Sequence, residues 1–305
     1  MKIGLVTIIA CMILTQLALA EGRLVLNLNP DWRFTKADPP GAVDPEFDDK
    51  AWELVSLPHT YNDIDTFDDW SVPGHRGEQD QWSGRTWYRK ALDIPADWAG
   101  KKVYIEFEAA RQVAEVYVNG RLAGVCKTGF TPFGLDLTPY LRFGQRNLIV
   151  VMCDNRFVKD PLPGQARDMN LAQLSAMTNQ AIPESLQDLQ ADQIPWNNPH
   201  WHPAHGGLYR NVRLYVTVPL HICLPLYSFL GTTGPYVYAR DITAGSARVV
   251  VEVPVANHMD TDQQFDLDVA VLDQTGDQVL HMARPVACQA GQVKIVSMSG
   301  LLARP

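Results

Sequence analysis

The sequence predicts an all-β protein of two successive sandwich domains, and three observations predict it. From about position 101 onward apolar residues recur with a period of two, as a strand with one buried face requires. No long segment carries the 3.6-residue period of an amphipathic helix. The chain has 305 residues, 46% of them hydrophobic and 20% charged, which is a folded composition and more length than a single core ordinarily supports. A formal net charge of -8 and the absence of any Lys or Arg run exclude nucleic acid as an expected partner.

Residues 1–20 read as a secretory signal. Lys2 precedes an apolar run over 3–14, and Ala18-Leu19-Ala20 supplies the small residues that a signal peptidase reads before Glu21. A membrane anchor is the alternative, but Thr7, Thr15 and Gln16 interrupt a stretch that would need about 20 apolar residues. Lipidation at Cys11, behind Ile8-Ile9-Ala10, is a second alternative. Cleavage after Ala20 makes the mature protein secreted or periplasmic, with no membrane attachment. Cys126, Cys153, Cys223 and Cys288 are then spaced too widely for a zinc motif, and buried free thiols are expected.

The first domain is expected over 21–218. Val103, Ile105 and Phe107 alternate with Tyr104, Glu106 and Glu108, and Ala114, Val116 and Val118 repeat the pattern. Asn119-Gly120 supplies the two positive-φ positions of a type I′ turn, so 122–125 is expected as the returning strand of a hairpin. The nearly continuous apolar run over 147–153 fits a central sandwich strand, and alternation resumes over 211–218 after Gly206-Gly207. Thr138-Pro139-Tyr140-Leu141 predicts one short helix. Between 157 and 205 the pattern collapses into Pro, Asn, Gln and Asp, and a segment that long without strands reads as a functional surface.

The second domain is expected over 219–305. Strands read at 247–256, 265–272, 278–282 and 292–298, with an immunoglobulin-like rhythm. A full immunoglobulin-type sandwich takes about 100 residues and seven strands, so this one is expected to be incomplete.

Several ordered segments resemble glycoside hydrolase family 2, the family of β-galactosidases, β-glucuronidases and β-mannosidases. They are Leu57-Pro58-His59-Thr60-Tyr61-Asn62, Thr86-Trp87-Tyr88-Arg89-Lys90 with Ile94-Pro95, and Val116-Tyr117-Val118-Asn119-Gly120. Gly129-Phe130-Thr131-Pro132-Phe133 with Asp136-Leu137-Thr138 follows, then the strand ending in Asp154-Asn155, then Gly206-Gly207-Leu208-Tyr209-Arg210-Asn211-Val212. The resemblance implies a jelly-roll sugar-binding domain followed by an immunoglobulin-like domain. It also implies a (β/α)₈ barrel of about 250 further residues that would carry the two catalytic carboxylates. No catalytic residue is therefore assigned to any position of this chain.

The jelly-roll loops of such a protein reach the mouth of the barrel, and the segments matching them give the candidate substrate-binding residues: Asn62, Asp63, Asp154, Asn155 and Trp201. Asn62 and Asp63 carry groups that hydrogen-bond sugar hydroxyls, and Asp154-Asn155 stands where the long loop begins. The bland alternative is that these residues cap turns. Trp82, Trp196 and Trp201 either stack on pyranose faces or fill small satellite cores. Three imidazoles in His200-Trp201-His202-Pro203-Ala204-His205 invite a zinc reading, but Pro203 stiffens the segment and no carboxylate lies beside it, so no metal is assigned. Arg89 and Arg210 resemble family arginines inside the sandwich, with a structural role preferred. No cofactor-binding signature is present in the sequence.

The expected function is the non-catalytic front of a secreted β-glycosidase, contributing pocket loops to a barrel in cis, with a β-linked carbohydrate as partner. A stand-alone carbohydrate-binding or scaffold module is the alternative. A broken gene product with exposed apolar faces such as Phe265 and Val269 is a third.

Overall fold

In the computed structural model of the chain, residues 23–61, 84–156, 206–225 and 234–303 are described. The leader, the candidates Asn62, Asp63 and Trp201, the tryptophans Trp82 and Trp196 and the histidine cluster lie outside them, His205 included. The described backbone forms sixteen strands and no α-helix.

The first sandwich faces two antiparallel sheets against each other. The larger has the order β3 (Glu53–Val55), β2 (Trp32–Thr35), β4 (Arg85–Ile94), β9 (Gln145–Asp154), β6 (Val113–Val118) and β7 (Arg121–Cys126). The smaller has the order β1 (Leu24–Asn27), β10 (Val212–Thr217), β5 (Lys102–Phe107) and β8 (Phe133–Asp136). Between them lie Trp32, Tyr88, Ile105, Phe107, Val116, Phe133, Ile149, Val151 and Leu214, all buried. Phe107 and Phe133 stack with centroids 4.9 Å apart. Burial of this kind contributes about 25 cal/mol per Å² of apolar surface.

The larger sheet is covered on both faces. Its outer face packs Trp87, Val113, Tyr117, Val150 and Met152 under Ala42, Val43 and Trp52 of the chain ahead of β3. Arg89, buried as expected for a structural arginine, holds that cover in place. Its Nε donates to Asp49 at 2.8 Å and its Nη1 to the Asp44 carbonyl at 3.0 Å, and its guanidinium lies 5.5 Å from the Phe47 ring centroid. Arg210, placed inside the sandwich by the resemblance, is exposed instead and lies 5.7 Å from the Tyr209 ring.

Asn119 (φ 51°) and Gly120 (φ 81°) form the expected hairpin turn between β6 and β7. The short helix is a single 3-10 turn over Thr138–Tyr140. All four described cysteines are buried and free, in line with the expectation. Two strands read as half-buried are enclosed on both faces. In β6, Glu115 is buried and accepts the Tyr117 hydroxyl. In β5, Glu106 pairs with Arg213 at 3.1 Å, and Tyr104 is covered by Leu224 and Tyr215.

The second sandwich is centred on β13 (Ser246–Asn257). One edge of β13 pairs with β16 (Val293–Ala303), and the other is shared by β11 (Leu220–Ile222) and β12 (Tyr236–Arg240). The hairpin of β14 (Gln263–Leu272) and β15 (Gln278–Cys288) packs over this sheet through Leu267, Met282 and Val286 against Val251, Val253 and Val296. The chain is all-β as expected, and its two sandwiches match the pattern of a jelly roll followed by an immunoglobulin-like unit. They meet where the Tyr104 hydroxyl lies 3.4 Å from Nε2 of both His221 and His258.

Candidate functional site

One end of the first sandwich is where the chain departs and returns. It leaves at Tyr61 for 62–83 and re-enters at Gly84, and it leaves at Arg156 for 157–205 and re-enters at Gly206. The strand registers bring these points together. Arg85 of β4 is opposite Asp154 of β9, and Val113 of β6 is opposite the same Asp154 on its other side.

Asp154 is fully buried and heavily engaged. Its carboxylate accepts the Arg156 backbone N–H at 3.0 Å, Arg156 Nη2 at 2.7 Å and Arg85 Nε at 3.3 Å, while its backbone carbonyl accepts the Gln112 N–H at 3.3 Å. Charge-assisted bonds of this kind are about twice as strong as neutral ones. Asn155, also buried, donates its N–H to the Gly84 carbonyl at 3.2 Å and accepts the Gly84 N–H on Oδ1 at 3.0 Å. The two candidates thus tie the root of 157–205 to the root of 62–83. They act as positioning groups whose described hydrogen bonds are made within the protein.

The Gly-Gly signature explains itself by close approach. A Cβ at Gly206 would collide with the Tyr61 hydroxyl, and one at Gly207 (φ 101°) with the Tyr88 hydroxyl. Beneath them His59 Nδ1 lies 2.8 Å from the Tyr88 hydroxyl, and the His59 N–H donates to the Leu208 carbonyl at 2.9 Å. The Tyr61 ring stacks on Phe34 at 5.8 Å. Burial raises the phenol pKa of both Tyr61 and Tyr88 well above the ordinary tyrosine range. These hydroxyls serve as neutral hydrogen-bonding groups.

The structure adds residues that sequence reasoning did not single out. Arg111 exchanges two backbone hydrogen bonds with Gly207, each 3.0 Å, and its guanidinium lies 4.7 Å from the Phe130 ring centroid. Tyr209 donates its hydroxyl to the Gly129 carbonyl at 2.8 Å, fixing the loop that carries Phe130. Arg85 also reaches Asp38 at 3.5 Å. No sequence signal singles out Arg111, since a cation two residues ahead of β6 is ordinary until its burial is seen.

The sequence model described as "Glycosyl hydrolases family 2, sugar binding domain" matches residues 25–219, which spans the first sandwich and its loops. The chain belongs to glycosyl hydrolase family 2. It is 41% identical over 290 residues to a β-glucuronidase of Formosa agariphila, covering 94% of this chain and 27% of that protein. It is 42% identical over 143 residues to a β-galactosidase of Thermoanaerobacter pseudethanolicus, covering 47% of this chain and 18% of that one. A solved family 2 β-glucuronidase superposes with a TM-score of 0.77 at 40% identity, over 94% of this chain and 27% of its own. This family 2 chain thus spans about a quarter of the length of such relatives.

Proposed function

We propose that this chain is the carbohydrate-recognising, non-catalytic front of a secreted family 2 β-glycosidase. The reading is carried by one observation: both long interstrand segments are rooted at the same end of the sugar-binding sandwich by the Asp154, Asn155, Arg85 and Arg156 clamp. Loops anchored on a rigid scaffold are where binding residues concentrate. Asn62, Asp63 and Trp201, placed on those segments by the sequence, are the groups proposed to touch sugar. Asp154 and Asn155 hold the segments in position for them.

The acid chemistry belongs elsewhere. Among the described residues the buried carboxylates are engaged in structure: Glu106 with Arg213, Glu115 with Tyr117, and Asp154 with Arg156 and Arg85. A retaining glycosidase needs two carboxyl groups about 5 Å apart that are free to act on the glycosidic bond. Relatives bearing the names β-glucuronidase and β-galactosidase leave the glycone of this protein open between an acidic and a neutral sugar. Delivery outside the cytoplasm rests on the leader-like residues 1–20.

The test is turnover and binding by the purified chain. No hydrolysis of nitrophenyl β-glycosides is expected, with millimolar binding of a β-glycoside by titration calorimetry. Measurable turnover overturns the non-catalytic assignment, and the absence of any sugar binding overturns the recognition role.

A further inference from the structure

The two sandwiches share little apolar surface. Among the described residues the cluster common to both is Tyr104 of β5 and Tyr215 of β10 packed on Leu224, and Arg23, ahead of β1, donates Nη2 to the Ile222 carbonyl at 2.6 Å. Domains joined by so small an apolar core are expected to move relative to each other unless other contacts hold them. Beside that core stands a group of three rings. His221 of β11 and His258, just past β13, stack with centroids 5.4 Å apart, and Nε2 of each lies 3.4 Å from the Tyr104 hydroxyl.

The hydrogens of this group have one consistent arrangement. Nδ1 of His221 lies 2.8 Å from the Val218 carbonyl, which only accepts, so Nδ1 carries the hydrogen and Nε2 presents its lone pair to the Tyr104 O–H. The phenol has a single hydrogen, so His258 faces the same oxygen with Nε2–H. Both imidazoles are then neutral, and each hydrogen has an acceptor. A proton added to His221 enters at Nε2, where it takes away the acceptor of the Tyr104 hydroxyl and sets a cation against a stacked imidazole. The surrounding groups do not compensate for it. Arg23 and Lys102 are cations, the Asp136 carboxylate is bonded to Lys102, and Glu106 is paired with Arg213. Tyr215, whose phenol pKa burial raises, and Cys223 are the other titratable groups around Arg23 and Tyr104 among the described residues.

We propose that His221, Tyr104 and His258 form a proton-operated latch between the sandwiches, closed while both imidazoles are neutral and released by acid with each sandwich still folded. The sign follows from linkage. A released histidine takes up its proton near 6.5 and docked His221 near 4, so between those values the released state binds more protons and gains population as the pH falls. From pH 7.5 to 5 the shift is about tenfold, once the linkage is discounted for the partial exposure of His221.

Cys223 reads the latch. It is buried at the junction beside Tyr104 and Arg23, whereas Cys126 and Cys153 lie inside the first sandwich and Cys288 inside the second. The full chain is labelled with dithiodipyridine at pH 7.5 and 5, each rate is divided by that of an unstructured peptide thiol, and peptide mapping assigns the cysteines. Cys223 is expected to react about tenfold faster on this scale at pH 5 than at 7.5, while Cys126, Cys153 and Cys288 stay protected. His221→Gln, which cannot take up the proton, is expected to lose most of that change. Tyr104→Phe, which keeps both titrating rings but not the hydroxyl they face, is expected to leave Cys223 more reactive at both pH values. Joint labelling of all four cysteines overturns the proposal, since the chain then opens as a whole. A Cys223 rate unchanged between the two pH values, or a tenfold change that survives in His221→Gln, overturns it as well. Should His221→Gln fail to fold, Tyr104→Phe decides: Cys223 protection equal to wild type overturns the latch.

Discussion

The two ends of the first sandwich treat buried polar groups differently. At the hairpin end, Asn147 donates Nδ2 to the carbonyls of Arg142 and Gln145, and its Oδ1 accepts the Arg142 N–H and Asn119 Nδ2, at distances of 2.8 to 2.9 Å. Asn119 in turn accepts the Leu148 N–H at 3.0 Å. At the loop-bearing end, Asp154 and Asn155 are as well bonded, but beside them Arg111 and Gln112 keep buried polar atoms without partners among the described residues. The hairpin end is closed apart from one buried hydroxyl, Thr217 Oγ1, which has no hydrogen-bond partner among the described residues. The larger unanswered groups, on Arg111 and Gln112, stand beside the clamp that roots 62–83 and 157–205.

The largest effect is expected where the loop-bearing end is itself structural. Asp154→Ala leaves Arg156 and Arg85 without their buried acceptor and frees the root of 157–205. Breaking a buried ion pair costs about 3 to 5 kcal/mol, and because both guanidiniums are partly exposed the expected loss is about 3 kcal/mol. Urea unfolding at constant m reads it directly. A loss under about 1 kcal/mol would show that the clamp positions nothing. At the hairpin end, Asn147→Ala removes four hydrogen bonds and leaves the Asn119 amide short of one partner, for an expected loss of about 2 kcal/mol.

Acid separates the junction between the sandwiches from both ends. Burial pushes the His221 imidazole down to about 4, with His258 and Arg23 nearby adding repulsion and the Val218 carbonyl opposing it. Burial and Lys102 lower His258 as well, against the pull of Asp136. In the unfolded chain these histidines take up protons near 6.5, so between about pH 6.5 and 4 the unfolded state binds more protons than the folded one. Stability is therefore full above pH 6.5 and falls as the pH drops toward 4, by about 2 kcal/mol from His221. His221→Gln is expected to flatten that slope without moving the effects of Asp154→Ala or Asn147→Ala. An unchanged slope would place the acid sensitivity elsewhere.

What the sequence made legible follows the same division. Period-two alternation located β5, β6 and β10, a continuous apolar run located β9, and Asn119-Gly120 located the hairpin, because local patterning and turn chemistry decide those elements. The two-sided burial of β5 and β6 was not legible, since it depends on a cover over 42–52 and on a neighbouring sandwich far away in sequence. β12 was missed because Tyr236, Val237 and Arg240 on an edge are exposed and show no alternation. The resemblance picked out Asp154 and Asn155, but only their partners reveal that they anchor loops. Arg111 was invisible because an arginine ahead of a strand looks like any surface cation until its burial is seen.

The smallest effect on stability is expected at the most unusual residue. Arg111→Met keeps a side chain of similar length over Phe130 and keeps the backbone bonds to Gly207, since neither depends on the guanidinium. It removes a buried charge whose Nε and Nη2 gain no hydrogen bond from the described residues, so the relief of desolvation offsets the weaker attraction to the Phe130 ring. The expected change is within about 1 kcal/mol of wild type, and on the stabilising side if it departs from zero. Thermal unfolding without ligand measures it, alongside Asn147→Ala as the reference for a satisfied buried group. A destabilisation as large as that of Asn147→Ala would mean that Arg111 is answered within the protein after all, and the contrast between the two ends would collapse into two versions of the same closure.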